Sequence, residues 1–189
     1  MSSEIGKLFI ISAPSGSGKT TLCNMLRKEF PAIVYSVSHT TRLPRPGETD
    51  KVHYYFITKE EFERKISLGD FLEYAVVHDY YYGTSSREIE ANITKGRDIL
   101  MDIDPQGAMQ LKEKIARAVY IFIMPPTIEV LKERLALRND TNETMELRLT
   151  DAAREISYKD RYDYIIINDK LERAYQELSD IYKKEKGAL

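Results

Sequence analysis

The stretch Leu8-Phe9-Ile10-Ile11-Ser12-Ala13-Pro14-Ser15-Gly16-Ser17-Gly18-Lys19-Thr20-Thr21 constrains this chain more than any other. Apolar residues of strand length run into a turn of small residues, and a lysine with two hydroxyls follows where a helix begins. Such a turn points backbone N–H groups inward, and the helix that starts at Lys19 adds its positive end, so the whole reads as a phosphate cradle. Gly16 and Gly18 remove side chains that would hold phosphates off the backbone. Lys19 brings a mobile cation, and Thr20 offers a hydroxyl to Mg²⁺. The pattern G-x-x-x-x-G-K-[ST] asks for glycine where Ala13 stands, whereas its Gly-Lys-Thr end and its strand-helix context both hold.

The remaining composition makes any phosphate binding local. Lys and Arg total 28 against 30 Asp and Glu, a formal net charge of −2, so no global field draws the chain to nucleic acid or an anionic membrane. With 189 residues, one core is expected. The single Cys23 has no internal disulfide partner and reads as a small core or helix residue in a reducing compartment. Met1 to Lys7 are polar, the apolar run after them is expected to be a strand leading into the loop rather than a signal-peptide core, and no apolar run approaches membrane-spanning length. A soluble cytoplasmic protein, monomeric or weakly self-associating, is expected.

Beyond the cradle, Thr20 to Phe30 carries Leu22, Met25 and Leu26 at helical spacing until Pro31, and Ile33 to His39 alternates as a strand. Two prolines and a glycine break periodicity in Thr41-Arg42-Leu43-Pro44-Arg45-Pro46-Gly47-Glu48. Short strands at Tyr54 to Ile57, Phe71 to Val77 and Tyr80 to Tyr82 surround a helix that starts with the capping box of Thr58 and Glu61. A second box, Ser85 with Glu88, opens a helix lasting to Gly96. Strands at Asp98 to Asp102, Ala118 to Met124 and Tyr164 to Ile167 then alternate with helices near 105–116, 127–138 and 143–159, and a charged amphipathic helix from Lys170 to about Glu185 closes the chain. Apolar strands between helices predict a parallel sheet covered on both faces, an α/β class.

Four further places carry polar groups that folding alone does not require. Ser38 precedes Arg42 and Arg45, two guanidiniums on a proline-held loop that could converge on one oxyanion or could simply be solvated. Glu73 lies in an apolar strand, with Tyr80-Tyr81-Tyr82-Gly83-Thr84 close behind. Asp102 and Asp104 end a strand of the sheet, where open α/β folds bind ligands; Asp104 serves equally well as an N-cap before Pro105. Arg134 and Arg138 share a helical face, and Arg148 follows an Asn/Asp/Thr-rich turn; these three suit a mobile lid or a salt-bridged surface.

Together these segments resemble the guanylate kinases, nucleoside monophosphate kinases that carry a phosphate loop. The likeness runs from Leu8 to about Tyr182, through Ser-Ala-Pro-Ser-Gly-Ser-Gly-Lys-Thr, Ser36-Val37-Ser38-His39-Thr40-Thr41-Arg42-Leu43-Pro44-Arg45-Pro46-Gly47-Glu48, Tyr81-Tyr82-Gly83-Thr84, Asp102-Ile103-Asp104-Pro105-Gln106-Gly107 and Ile167-Asn168-Asp169. It implies a three-layer core at 1–37, 86–136 and 150–189, a strand-rich GMP-binding insertion at 38–85 and a small helical lid at 137–149. It further implies that Ala13, Pro14, Ser15, Gly16, Ser17, Gly18, Lys19, Thr20 and Thr21 bind ATP, with Mg²⁺ on Thr20. Arg42, Arg45, Tyr54 and Tyr82 would hold the phosphate of GMP. Glu73 would take the guanine N1–H and amino group, with Ser38 and Thr84 serving O6 and Asp102 assigned either to the amino group or to Mg²⁺. Lys19, Arg42, Arg134, Arg138 and Arg148 would act in transfer. Family members tolerate alanine at the place of Ala13, and Asn139 stands where a glycine often follows the lid arginine. A scaffold module of the same fold would have lost Lys19 or these arginines, and the Asn-Lys-x-Asp motif expected of a GTPase is missing from the sequence.

Overall fold

The computed structural model describes residues 5–77, 79–115, 117–136 and 142–187. The chain divides into two units, Met1–Leu8 with Ala32–Ala118, and Phe9–Pro31 with Val119–Leu189, and it passes from one to the other within its first strand.

Strand β1 (Leu8–Ser12) is buried at every position, which accounts for its uninterrupted apolar run. In the second unit it pairs in parallel with β8 (Val119–Met124), Ile10 opposite Tyr120, and β8 pairs in parallel with β9 (Tyr164–Ile167). As the outermost strand, β9 buries Ile166 and exposes Ile165 and Ile167. Helix α1 (Lys19–Glu29) buries Leu22, Cys23 and Leu26 on one face and places Arg27 and Lys28 in its last turn, where cations complement the helix dipole. Helix α7 (Leu171–Lys186) lies against α1. Its residues Tyr175, Ser179 and Lys183, spaced by four, all reach Glu29, and the Tyr175 hydroxyl also bonds the Met25 carbonyl. Helices α5 (Ile128–Ala136) and α6 (Asn142–Ile156) meet through Leu131, Leu135 and Ala152.

The first unit holds the parallel pair β2 (Val34–Tyr35) and β7 (Ile99–Asp102). A second sheet, in the order β4-β3-β6-β5, combines β3 (His39–Thr40), β4 (Tyr55–Phe56), β5 (Phe71–Val77) and β6 (Tyr80–Ser85). The alternation of residues 33–39 therefore does not make one strand. Ser36 N–H still bonds the Leu100 carbonyl of β7, but the Ser38 carbonyl accepts from Tyr55 N–H of β4, so the chain changes sheets across three residues. Strand β6 extends past Tyr82 because Gly83 and Thr84 find partners in Tyr74 and Glu73.

Helix α2 (Lys59–Ser67) starts as expected, the Thr58 hydroxyl accepting from Glu61 N–H at 3.2 Å. The second box does not form. Ser85 precedes α3 (Ser86–Ile93) without a side-chain cap, because it is still paired to Phe71 in the sheet and the Glu88 carboxylate bonds Tyr55 instead. Phe62 of α2 is fully buried between Phe71 and Tyr81, with ring centroids at 4.4 and 5.1 Å. His39 stacks on Tyr55 at 4.6 Å, and burial pushes its pKa down to about 4, so it is a neutral core residue at physiological pH. Helix α4 (Pro105–Lys114) follows β7 and packs on β5.

Candidate active site

In the second unit the loop between β1 and α1 turns on Gly16 and Gly18, both at φ +88. Ser17 N–H bonds the Pro14 carbonyl at 3.1 Å, closing the turn. The Asn168 amide donates to the Ser17 carbonyl at 2.7 Å, and the Asn168 carbonyl is itself held by Arg134 Nη2 at 2.9 Å. A Cβ on Gly18 would lie 2.4 Å from Asn168 Nδ2, so this glycine is required both by its backbone and by the brace behind it. Ala13 is buried, and the described non-glycine residues with positive φ are Lys51 and Asp79. Nothing in its backbone therefore demands the glycine of the strict pattern. Pro14 is buried, Ser15 and Lys19 are half-buried, and Thr20 and Thr21 lie exposed in the first turn of α1.

Asn168 was legible only as part of a family motif. Its role as a brace comes from the end of β9, far away in sequence, and no local pattern announces it. Of the three arginines expected in a lid, Arg134 is half-buried and spends a donor on Asn168, Arg148 is half-buried on α6, and Arg138 lies outside the described residues, as do Asn139 and the rest of 137–141.

The other candidate residues gather in the first unit. Arg42 is buried, and its loop is stitched to β6: Arg42 N–H bonds the Thr40 hydroxyl, which donates to the Tyr81 carbonyl, while Tyr81 N–H bonds the Thr41 hydroxyl. The guanidinium donates from Nε to the Tyr82 hydroxyl at 3.3 Å and from Nη1 to the Leu43 carbonyl at 2.8 Å. It also grips the Glu48 carboxylate bidentately, at 2.8 and 2.9 Å. That engages four of its five N–H groups among the described residues. Tyr54 presents its ring 5.3 Å from Arg42 Cζ and 5.9 Å from the Tyr82 ring.

The sequence left open whether the guanidiniums of Arg42 and Arg45 converge on one oxyanion or are solvated, and the structure closes Arg42 on a carboxylate of its own loop. Glu48 is the carboxylate in the grip of Arg42, and Arg45, an exposed residue, contributes its backbone N–H to Glu48 Oε2 at 2.8 Å. The Arg42 hydrogen bonds hold the Glu48 carboxyl below its usual range, and Glu48 in turn raises Arg42. Sequence reasoning assigned Glu48 no role. The available signal was its place one residue beyond Gly47, where Glu48 N–H bonds the Arg45 carbonyl and the turn folds back on the arginine.

Glu73 is 4% exposed and accepts a 2.6 Å hydrogen bond from the Thr84 hydroxyl directly across the β5–β6 ladder. Burial pushes its pKa up to about 7; Thr84 and Lys114 oppose the rise and Asp104 adds to it. A register shift in β5 between Phe71 and Glu73 accompanies this placement. Ser38 is buried at the crossing between the sheets, and Asp102 ends β7 half-buried. Asp104 caps α4, its carboxylate accepting from Gln106 N–H at 2.8 Å, so the capping alternative is realised. Of the tyrosine triplet, Tyr81 is core, Tyr82 belongs to the arginine cluster and Tyr80 is exposed.

One unit thus carries a glycine-rich loop before a helix, and the other a buried carboxylate with a hydroxyl and a buried guanidinium. A family model described as guanylate kinase matches residues 5–185. The guanylate kinase of Protochlamydia amoebophila is 50% identical over 177 residues, 93% of this chain and 89% of its own length. That of Geobacter sulfurreducens is 49% identical over 177 residues, 93% of this chain and 87% of its own. The crystal structure of guanylate kinase from Anaplasma phagocytophilum matches with a TM-score of 0.81 at 37% identity, covering 96% of this chain and 87% of that one. Similarity of this depth along almost the entire length, on an α/β fold with a parallel sheet, means that the chain belongs to the guanylate kinase family.

Proposed function

We propose that this protein transfers the γ-phosphoryl group of MgATP to GMP, and to dGMP, giving ADP and GDP. The observation that carries the reading is Glu73, buried with Thr84 in the same unit as the Arg42, Tyr54 and Tyr82 cluster. Guanine presents N1–H and an exocyclic amino group side by side, two donors for the two oxygens of an ionised carboxylate. Adenine presents a lone pair at N1, which such a carboxylate repels. Hydrogen-bonding sites of this type discriminate by roughly 10⁴ to 10⁵ when the wrong partner leaves a buried group unpaired. Ser38, Thr84 and Asp102 complete the base contacts, and Arg45, Tyr54 and Tyr82 take the acceptor phosphate together with Arg42, which exchanges part of its grip on Glu48 for it. This assigns 38–85 to the acceptor, 137–149 to a lid and the rest to the core.

The loop at Ala13 to Thr21 receives the donor phosphates. Mg²⁺ normally keeps one or two protein oxygens and takes the rest of its ligands from phosphates and water. Among the described residues no group of three His, Cys, Asp or Glu gathers to hold a metal, and the exposed Thr20 hydroxyl on the first turn of α1 is the fitting donor for an ion delivered with ATP. When bound, the ion neutralises charge on the β and γ oxygens. Lys19, Arg134, Arg138 and Arg148 add positive charge as it spreads over the moving phosphoryl, where one arginine is worth about 10³ to 10⁵ in rate. No covalent enzyme intermediate is needed.

Among the described residues no helix is long and apolar enough to cross a membrane. The buried lone Cys23 suits a reducing cytoplasm, and the charge balance suits small nucleotides as ligands rather than nucleic acid, with the chain a monomer or weak oligomer. A coupled ADP-release assay with MgATP and each of GMP, AMP, CMP and UMP tests the proposal. Turnover on GMP with the other three nearly inert is expected, and equal turnover on AMP would remove Glu73 from base recognition.

A further inference from the structure

Gly107 occupies the first turn of α4, and its backbone is helical, so no unusual φ calls for glycine there. Alanine is the better helix former, yet a Cβ at this position would lie 2.3 Å from Glu73 Oε2, 3.1 Å from Cδ and 3.7 Å from Cγ. Those three nearest heavy atoms all belong to one side chain. The Glu73 carboxylate fills the space where a side chain on α4 would stand.

The rest of that helix face fixes the strand that carries Glu73. Gln110 and Lys114, three and seven residues beyond Gly107, lie on the same face. The Gln110 amide donates to the Tyr74 carbonyl at 2.7 Å and accepts a longer bond, 3.5 Å, from Tyr74 N–H; Lys114 donates to the Leu72 carbonyl at 3.1 Å. Gly107, Gln110 and Lys114 thus face β5 at Glu73, Tyr74 and Leu72 respectively. With Thr84 holding Oε1 at 2.6 Å and Gly107 bordering Oε2, both carboxylate oxygens have a defined place.

We propose that Gly107 is a specificity-determining positioning residue, whose missing side chain lets α4 seat the Glu73 carboxylate in the orientation that reads guanine. The inference rests on the proposed contact between Glu73 and guanine. A methyl group at 107 meets the far end of a side chain and no backbone atom at close range, so its effect is to push the carboxylate off Thr84 and out of register with the base while the fold stays intact.

The test is a double-mutant cycle of Gly107→Ala and Glu73→Ala, read by KM for GMP, KM for ATP, kcat and thermal melting. Gly107→Ala alone should raise KM for GMP by about tenfold or more, the scale of a disrupted charged hydrogen bond, and leave KM for ATP within about twofold. In the Glu73→Ala background the same change should alter KM for GMP by less than about twofold and leave melting unchanged or higher. If Gly107→Ala fails to fold, the double variant must fold, because the obstructing carboxylate is gone; failure of both places the clash elsewhere and overturns the inference. Equal effects in both backgrounds, or normal GMP kinetics for Gly107→Ala beside a damaged Glu73→Ala, overturn it while leaving the guanine contact intact. Normal GMP kinetics for Glu73→Ala overturn the guanine contact itself, and the inference with it.

Discussion

Glu73 is held near the midpoint between its two protonation states, its pKa raised to about 7 chiefly by burial, against the Thr84 hydroxyl and Lys114 and with the help of Asp104. In the proposed contact guanine supplies two donors, which calls for the ionised form. Below neutrality the free protein must release a proton on binding, and KM for GMP should fall about tenfold per pH unit as pH rises toward 7, then level off. The acceptor phosphate also titrates, with a second pKa of about 6; Glu73→Gln keeps that background and should lose the component that belongs to the carboxyl. Superimposable pH profiles of the two proteins would show that Glu73 does not titrate in this range. The effect on folding runs the other way. A carboxyl whose folded pKa is raised contributes stability below its unfolded value of 4.5, and that contribution is lost as pH rises through about 7. From the sequence, Glu73 stood out as a charge in an apolar strand, but its protonation depends on burial under α4 and β6, which no local pattern contains.

At the level of elements, the strand-turn-helix unit of β1 and α1 gets its shape from local chemistry and its rigidity from β9 and α5. Gly18→Ala introduces a side chain at φ +88 and within 2.4 Å of the Asn168 amide. Strain of this kind costs about 1 to 3 kcal/mol, and the displaced Asn168 leaves the Ser17 carbonyl unpaired. The variant should melt earlier than the parent and show KM for ATP raised about tenfold or more, with KM for GMP little changed. A loss confined to GMP would detach the loop from the donor. The brace was invisible in the local sequence because its partners are about 150 residues apart, with the Asn168 to Ser17 bond spanning 151 positions. The same limit explains residues 33–39, whose alternation marks extended chain but does not say which neighbour each residue bonds. It also explains Ser85 and Glu88, which satisfy a capping pattern on paper while the sheet and Tyr55 claim them first. By contrast the Thr58 hydroxyl does accept from Glu61 N–H at the start of its own helix.

Across the molecule, the division into two units sorts the candidate residues. Ser38, Arg42, Arg45, Tyr54, Glu73, Tyr82, Thr84 and Asp102 belong to the first, and the loop at Ala13 to Thr21 with Arg134 and Arg148 belongs to the second. Hydrogen exchange should therefore report the two ligands separately. GMP alone should protect amides within 38–85, and a non-hydrolysable MgATP analogue alone should protect those of 13–21. Protection of 13–21 by GMP alone, with none in 38–85, would reverse the assignment of donor and acceptor.

The sequence by itself determined what local chemistry can specify. An apolar run, two glycines and a lysine specify a strand, a tight turn and a helix start, and the period of the later segments makes strands that alternate with helices. Only the tertiary structure decided that Arg42 is closed on Glu48, that Asn168 braces the loop, and that Glu73 lies against a glycine of α4 with its proton held near neutrality. Each of these depends on which groups are brought together and shielded from water, and hydrogen bonding and desolvation act over a few ångströms in space, whatever the separation along the chain.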